Sequence, residues 1–440
     1  MIVPQEDESL TPRPPRRWWR LATVDVTPLR RHRDYRLLFV GRFVSYFGSM
    51  VTTVAFPFQV YQLTHSVLLV GALGLLEFGA ILLFAFVGGA LADARDRRSM
   101  VLVSEAALML CSLVLAVNAA FPRPQVWLLF AVAAAWGVLD AIQRPSLDAM
   151  LPRLVDRDEL GAAAALNSIR SNLGMILGPA LGGVLIAAYG LPATYVFDVG
   201  TFVVGLVCLW LMRAVPPPVD AERPSLRRVV EGLRYAMSRQ ELIGTYAVDI
   251  IAMFFGMPFA LFPAIAQGLG GPRVLGLLYA APAAGYLLFS ATSGWTNRVH
   301  RHGMGVIVAA TAWGLAIIGF GFAPGLAVAL ICLVIAGAAD MMSGIFRSVI
   351  WNQTIPDSLR GRLAGIELIS YTSGPALGNF EAGVVASLFS VRVSVVSGGI
   401  LCVIGCVAAA IALPAFRAYD ARVQRTAPDQ AAPSVKREKQ

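Results

Sequence analysis

Charge is scarce in this chain. Of its 440 residues only 14% are charged, whereas 57% are hydrophobic, too little polar surface to cover a soluble globule of that size. Histidine is limited to His32, His65, His300 and His302, all in a tail or in loops. No nucleophile–base pair is visible around them, and the chain is expected not to be an enzyme. The five cysteines (Cys111, Cys208, Cys332, Cys402 and Cys406) lie in apolar segments without metal-ligand spacing. That excludes a disulfide framework and a metal centre, and Cys402 and Cys406 read as two small residues one turn apart on a packed helix. A Gly-Lys-Ser/Thr phosphate loop is missing, so ATP hydrolysis is not the energy source, and no cofactor is expected. Residues 1–36 lack the apolar core of a cleavable signal peptide. Arg16-Arg17-Trp18-Trp19-Arg20 has no hydrophobic stretch after it, and its composition suits a segment lying on a membrane surface.

Long apolar runs are what the chain has instead. Runs of twenty or more residues match the roughly 20 needed for a helix to cross a bilayer, and twelve are read, near 37–61, 68–92, 99–120, 125–150, 161–189, 193–212, 242–267, 274–297, 303–323, 326–351, 362–388 and 392–413. The expected fold class is therefore an all-α polytopic membrane protein. Its division is a tail over 1–36, a six-helix bundle over 37–212, a linker over 213–241, a second bundle over 242–413 and a tail over 414–440. In the linker Leu226, Val229, Val230, Leu233 and Met237 alternate with Arg227, Arg228, Arg234 and Arg239, the spacing of an amphipathic helix lying on the bilayer. Only Arg123, Arg273 and Arg392 fall in loops on the outer side if the N-terminus is cytoplasmic. This bias predicts both termini inside and accounts for the net charge of +9 and the pI near 9.6 without nucleic acid as a partner.

The chain is also written twice. Gly178-Pro179-Ala180-Leu181-Gly182 recurs as Gly374-Pro375-Ala376-Leu377-Gly378, and Gly137, Asp140 and Pro152 recur as Gly337, Asp340 and Pro356. Within 172–183, Gly174, Gly178, Pro179, Gly182 and Gly183 interrupt an apolar run, a pattern that in lipid makes a flat stripe for close helix packing.

Twelve spans in two repeated halves resemble the major facilitator superfamily over nearly the whole chain. Gly89-Ala-Leu-Ala-Asp93-Ala-Arg95-Asp96-Arg97-Arg98 is similar to that superfamily's loop between spans two and three. The resemblance makes Asp93 a gating acid and Arg97 and Arg98 its basic pair, free to meet acids on neighbouring spans. Ala94 and Asp96 depart from the pattern, and the second-half copy at Gly294 to Arg298 has lost the acid. The glycine stretch Gly174, Gly178, Pro179, Gly182 and Gly183 is similar to the signature of exporters, which implies a bendable span five that seals the halves. Pro57-Phe58-Gln59, Thr64-His65-Ser66, Leu261-Phe262-Pro263-Ala264, Leu278-Tyr279-Ala280-Ala281 and Leu359-Arg360-Gly361-Arg362 look like the bacterial enterobactin exporters and neighbouring macrolide-efflux proteins.

Charges within spans cost at least about 2.5 kcal/mol each on insertion scales, and are functional candidates. Glu77, Asp140, Asp249 and Asp340 are candidates for proton coupling, since a carboxylate removed from water holds a proton more readily. Arg42, Arg144 and Arg170 are candidates to attract an anionic substrate in the cavity. Arg42, Asp148, Arg347 and Glu367 lie close enough to the inner surface for snorkelling to be the preferred reading. Asp140 and Asp340 stand open between ion pairs with Arg144 and Arg347 and proton or substrate handling. The expectation is a proton-coupled secondary transporter in a bacterial inner or plasma membrane, acting as a monomer and exporting an amphipathic small molecule, a siderophore. Macrolide or multidrug efflux, and a non-transporting membrane sensor on a transporter fold, are the alternatives.

Overall fold

A computed structural model describes residues 25–215 and 233–422, all of them helical or in short connections. Twelve membrane-length crossings follow one another: α1 Arg33–Thr64, α2 Val67–Ala94, α3 Arg97–Ala120 and α4 Val126–Leu154, then α5 and α6 as the two arms of Leu160–Trp210. The second half holds α7 (Gln240–Phe255 continued by Phe262–Leu269), α8 Pro272–Thr292, α9 His302–Gly321, α10 Leu326–Thr354, α11 Asp357–Leu388 and α12 Val391–Ala412. The face at which α1 begins is called proximal below, and the opposite face distal. Large apolar side chains point outward along these helices, among them Leu83, Val103, Ile331 and Ile411, and Trp127, Tyr189, Trp210 and Phe389 sit exposed near helix ends. Such a surface suits hydrocarbon with aromatic side chains at its borders, and the chain is a multi-pass membrane protein. The amphipathic helix expected over 213–241 falls mostly on 216–232, outside the described residues.

Local sequence sets the breaks. His65 takes the left-handed conformation that ends α1, and the Ser66 hydroxyl accepts from the Leu69 amide to start α2, so Thr64-His65-Ser66 is a tight distal turn. Residues 161–189 and 193–212, read as separate spans, are joined without a loop. Gly190, at φ 78°, turns the chain between 160–189 and 191–210, a conformation that costs glycine little. The single span expected at 242–267 is broken instead. Pro258 and Pro263 cannot donate backbone hydrogen bonds, and a short 3-10 turn at Phe259–Leu261 bridges the two pieces. In lipid the freed groups need partners: Trp313 Nε1 donates to the Gly256 carbonyl at 3.0 Å and the Ala260 amide donates to Asn379 Oδ1 at 2.8 Å.

The repeat is a repeat of packing. Gly178 of α5 lies on Met50 of α1, and its copy Gly374 of α11 lies on Met253 of α7. Gly137 of α4 rests on the Glu77 carbonyl of α2, and Gly337 of α10 on the Pro282 carbonyl of α8. The halves meet in the same twofold fashion. Gly183 of α5 touches Gly276 of α8, where an added Cβ would stand 2.9 Å from the Gly276 Cα. Gly71 of α2 touches the backbone of Asn379 of α11. Both seams lie near the distal helix ends, so they close the space between the halves on the distal side.

Candidate functional site

Between the halves, α1, α2, α4, α8, α11 and the break in α7 enclose a cavity of about 230 Å³. Phe56, Trp136, Phe259 and Tyr279 supply its aromatic wall, with the Phe56 and Trp136 rings 5.9 Å apart and Phe259 edge-on to Tyr279 at 6.0 Å. Tyr279 is held by donating its hydroxyl to the Phe259 carbonyl at 3.1 Å, and Asn379 is held at the α7 break. Glu77 brings the cavity's carboxylate, half-buried, and among the described residues no hydrogen bond or ion pair engages it. Its placement follows from Gly137, which lets α4 close onto α2 at the Glu77 carbonyl.

A second pocket of about 440 Å³ lies proximally within the first half, among α1, α4 and α5. It brings together the three arginines expected to draw an anion, Arg42, Arg144 and Arg170, beside Asp140 and Asp148. Arg42 does not snorkel. Its guanidinium pairs with Glu105 of α3, whose side chain is 0% exposed, and Gln143 Nε2 donates to the same carboxylate at 3.2 Å. Once Glu105 is buried the pair is costly to break, since losing either partner leaves an uncompensated charge away from water. The Arg170 guanidinium lies 5.9 Å from the centre of the Tyr46 ring, within cation–π range. Asp140 and Arg144 approach only to 4.0 Å, with side chains 42% and 40% exposed. This is a loose pair open to the pocket, the kind that contributes little to stability.

The second half is wired differently. Arg347 of α10 also turns inward rather than toward the interface. It pairs with Asp249 of α7 and stands 3.7 Å from Asp340 of its own helix. Tyr286 of α8 donates its hydroxyl to Asp340 at 2.5 Å. Asp249 and Asp340 thus share one cation in a partly buried cluster tying α7, α8 and α10, whereas Glu77 and Asp140 face open space.

At the loop after α2, Asp96 departs from the superfamily pattern but does local work. It caps α3 by accepting from the Ser99 amide at 2.8 Å, and it accepts from the Val215 amide at 2.7 Å. Arg98, expected to meet an acid, donates instead to the carbonyls of Leu209 and Trp210 at 2.8 and 2.6 Å. The negative end of the α6 macrodipole accounts for that choice. Arg97 is buried and donates to the Ala149 carbonyl at 3.0 Å. Gly89 and Asp93 fall in the last two turns of α2, and their surroundings lie outside the described residues.

Three acids within the spans were missed by the sequence reading. Glu105 is one, and Glu381 of α11, half-buried, is another. The third is Asp198 of α6, 0% exposed like Glu105, whose carboxylate accepts from Thr52 of α1 and Ser112 of α3, each at 2.7 Å. All three sit inside apolar spans, so the rule that selected Glu77 and Asp140 would have found them.

A family profile described as transmembrane secretion effector matches residues 23–439. The chain is similar to the enterobactin exporter EntS of Citrobacter koseri, at 29% identity over 87% of this chain and 92% of that protein. It is similar also to the enterobactin exporter EntS of Salmonella typhimurium, at 28% identity over 87% of this chain and 93% of that protein. Among solved structures, a bacterial homologue of the iron transporter ferroportin in its inward-facing state superposes with a TM-score of 0.66 at 16% identity, over 88% of this chain and 98% of the other. A POT family transporter superposes with a TM-score of 0.69 at 13% identity, over 87% and 96%. At those identities the structures speak to the fold alone.

Proposed function

The chain belongs to the transmembrane secretion effector family within the major facilitator superfamily, and from that premise we propose that it exports a siderophore of the catecholate class by proton-coupled alternating access. The observation that carries the reading is the cavity between the halves, walled by aromatic rings, holding Glu77, which has no partner among the described residues, and closed at its distal end. Catechol rings would stack on Phe56, Trp136 and Tyr279, and catechol hydroxyls would donate to Glu77. The guanidinium-lined pocket beside it would attract an ionised catecholate on its way in. The names of the enterobactin exporters among its relatives point to the same substrate class. The proximal face is then cytoplasmic, both termini lie inside a bacterial inner membrane, and the bundles 37–212 and 242–413 rock as units in a monomer. Glu77 and Asp140, facing open space, are better placed to exchange protons than Asp249 and Asp340, which share Arg347.

The test is radiolabelled enterobactin in proteoliposomes with and without an imposed pH gradient. Gradient-driven accumulation by the wild type, abolished in Glu77→Gln with downhill exchange retained, is the expected result. Accumulation insensitive to the gradient would overturn proton coupling, and no transport of the siderophore would overturn the substrate class.

A second reading, efflux of a cationic amphiphile such as a macrolide, is favoured by one feature. A carboxylate among aromatic rings attracts cations. Macrolide resistance conferred on a sensitive host, without siderophore secretion, would decide for it.

A further inference from the structure

Asp198 belongs to neither cavity. It is sealed between α1, α3 and α6, and a cation does not neutralise it: among the described residues no ion pair reaches it. Its partners are hydroxyls. Thr52 and Ser112 donate to Oδ2 at 2.7 Å, and Thr201 lies 3.3 Å from Oδ1. The other ionisable groups facing it are Glu105, two turns along α3 from Ser112, and Tyr195 on its own helix. Gly48 of α1 is required by this arrangement, because a Cβ there would meet the Thr201 hydroxyl and Asp198 Oδ1. A carboxylate kept so far from water and counter-ion is expensive as an anion, yet two hydroxyls donate to it, while Thr201 gives its proton to the Asp198 backbone carbonyl at 2.7 Å. The hydroxyl oxygens lie at direct hydrogen-bond distance from the carboxylate, which leaves no gap for a metal ion between them.

We propose that Asp198 is a proton-binding site of the transport cycle, separate from the substrate cavity and coupled to it through α1. The geometry supplies the link in three consecutive residues. Val51 packs on Gly182 of the helix that forms the distal seam, Thr52 bonds to Asp198, and Thr53 lines the central cavity. Protonation forms an O–H bond on the carboxylate and removes the acceptor charge that holds Thr52 and Ser112, and deprotonation restores it. Either change repositions α1 on the two surfaces it shares with the seam and the cavity. Buried polar side chains flank the site along the same seam of helices. Distally the Tyr195 hydroxyl donates to Gln59 at 2.8 Å, and proximally Ser45 adjoins Glu105. They mark a route by which the proton enters from the distal phase and leaves proximally. That direction rests on the export reading, whereas the site itself does not.

The experiment needs no substrate. Spin labels at Tyr189→Cys on α5 and Leu388→Cys on α11, both exposed at distal helix ends, report the distal opening when the five native cysteines are replaced by alanine. Titrating this parent from neutral to acid pH is expected to shift the label-to-label distance distribution. Asp198→Asn is expected to hold one distribution at every pH. Thr52→Val with Ser112→Ala keeps the acid but removes its donors, and is expected to displace the midpoint of the transition. This variant carries the test if the asparagine does not fold. An Asp198→Asn protein that titrates like its parent, a parent without a transition, or an unmoved midpoint in the double variant would each overturn the proposal. None of these outcomes depends on siderophore export, so the two readings fail separately.

Discussion

Replacing Gly183 by alanine should open the transporter at its distal face. The added Cβ would stand 2.5 Å from the Pro272 carbonyl oxygen and 2.9 and 3.0 Å from the Cα and N of Gly276. All three are backbone atoms of α8, so no side chain can swing aside and the helices must separate. Overpacking of this kind costs about 1–3 kcal/mol. The cost falls only on the state in which α5 and α8 touch, because alternating access pulls them apart in the other. The equilibrium should therefore move toward the distally open state by about 5- to 150-fold. Thr53→Cys, on the cavity wall of α1, provides the assay. Its modification by a membrane-impermeant thiol reagent added on the distal side should accelerate in the Gly183→Ala background, up to the limit at which the open state dominates. The matching seam predicts that Gly71→Ala, which would press on the Asn379 backbone, acts alike. An unchanged labelling rate in a correctly folded Gly183→Ala protein would refute the argument that this contact holds the distal side shut.

Neutralising the two acids that neighbour arginines should have unequal effects. Asp249→Asn leaves Arg347, 17% exposed, with only the more distant Asp340, and should lower stability by about 3 kcal/mol in detergent unfolding. Asp140→Asn loosens a pair already half-exposed at 4.0 Å and should cost about 0–1 kcal/mol; equal losses would contradict the difference in burial. A cysteine at Ala221, in the expected cytoplasmic linker, should resist impermeant reagents in intact cells, and labelling there would reverse the proposed topology.

The departures from the sequence reading share a cause. Depth in the bilayer can be counted along one helix, so the presence of Asp249, Asp340, Arg42 and Arg347 within spans was legible. The identity of their partners was not. Glu105 reaches Arg42 from 63 residues away, and Arg347 reaches Asp249 from the third helix beyond it. Snorkelling was the reading preferred for both arginines because a single helix shows only the distance to water. Arg98 likewise found carbonyls at the end of α6, a partner that has no signature of its own among the charged residues.

Composition and periodicity by themselves determined the membrane class, the helical crossings, the doubled architecture and the stripe of glycines, because lipid forces backbone groups to pair within each helix and so writes the span length into the chain. The repeat even carried its packing: Gly178 and Gly374, or Gly137 and Gly337, could be matched before either had a neighbour. Tertiary structure alone decided what those glycines touch, which end of the cavity they close, and which acids stay unpaired. Glu77 faces space and Asp249 an arginine through differences in neighbouring helices, not in their own. Asp198 was legible as an acid within a span, but its partners were not until Thr52 and Ser112, from two other helices, were brought to 2.7 Å from its carboxylate. A carboxylate's role in the membrane depends on the groups packed around it, and those come from distant stretches of chain.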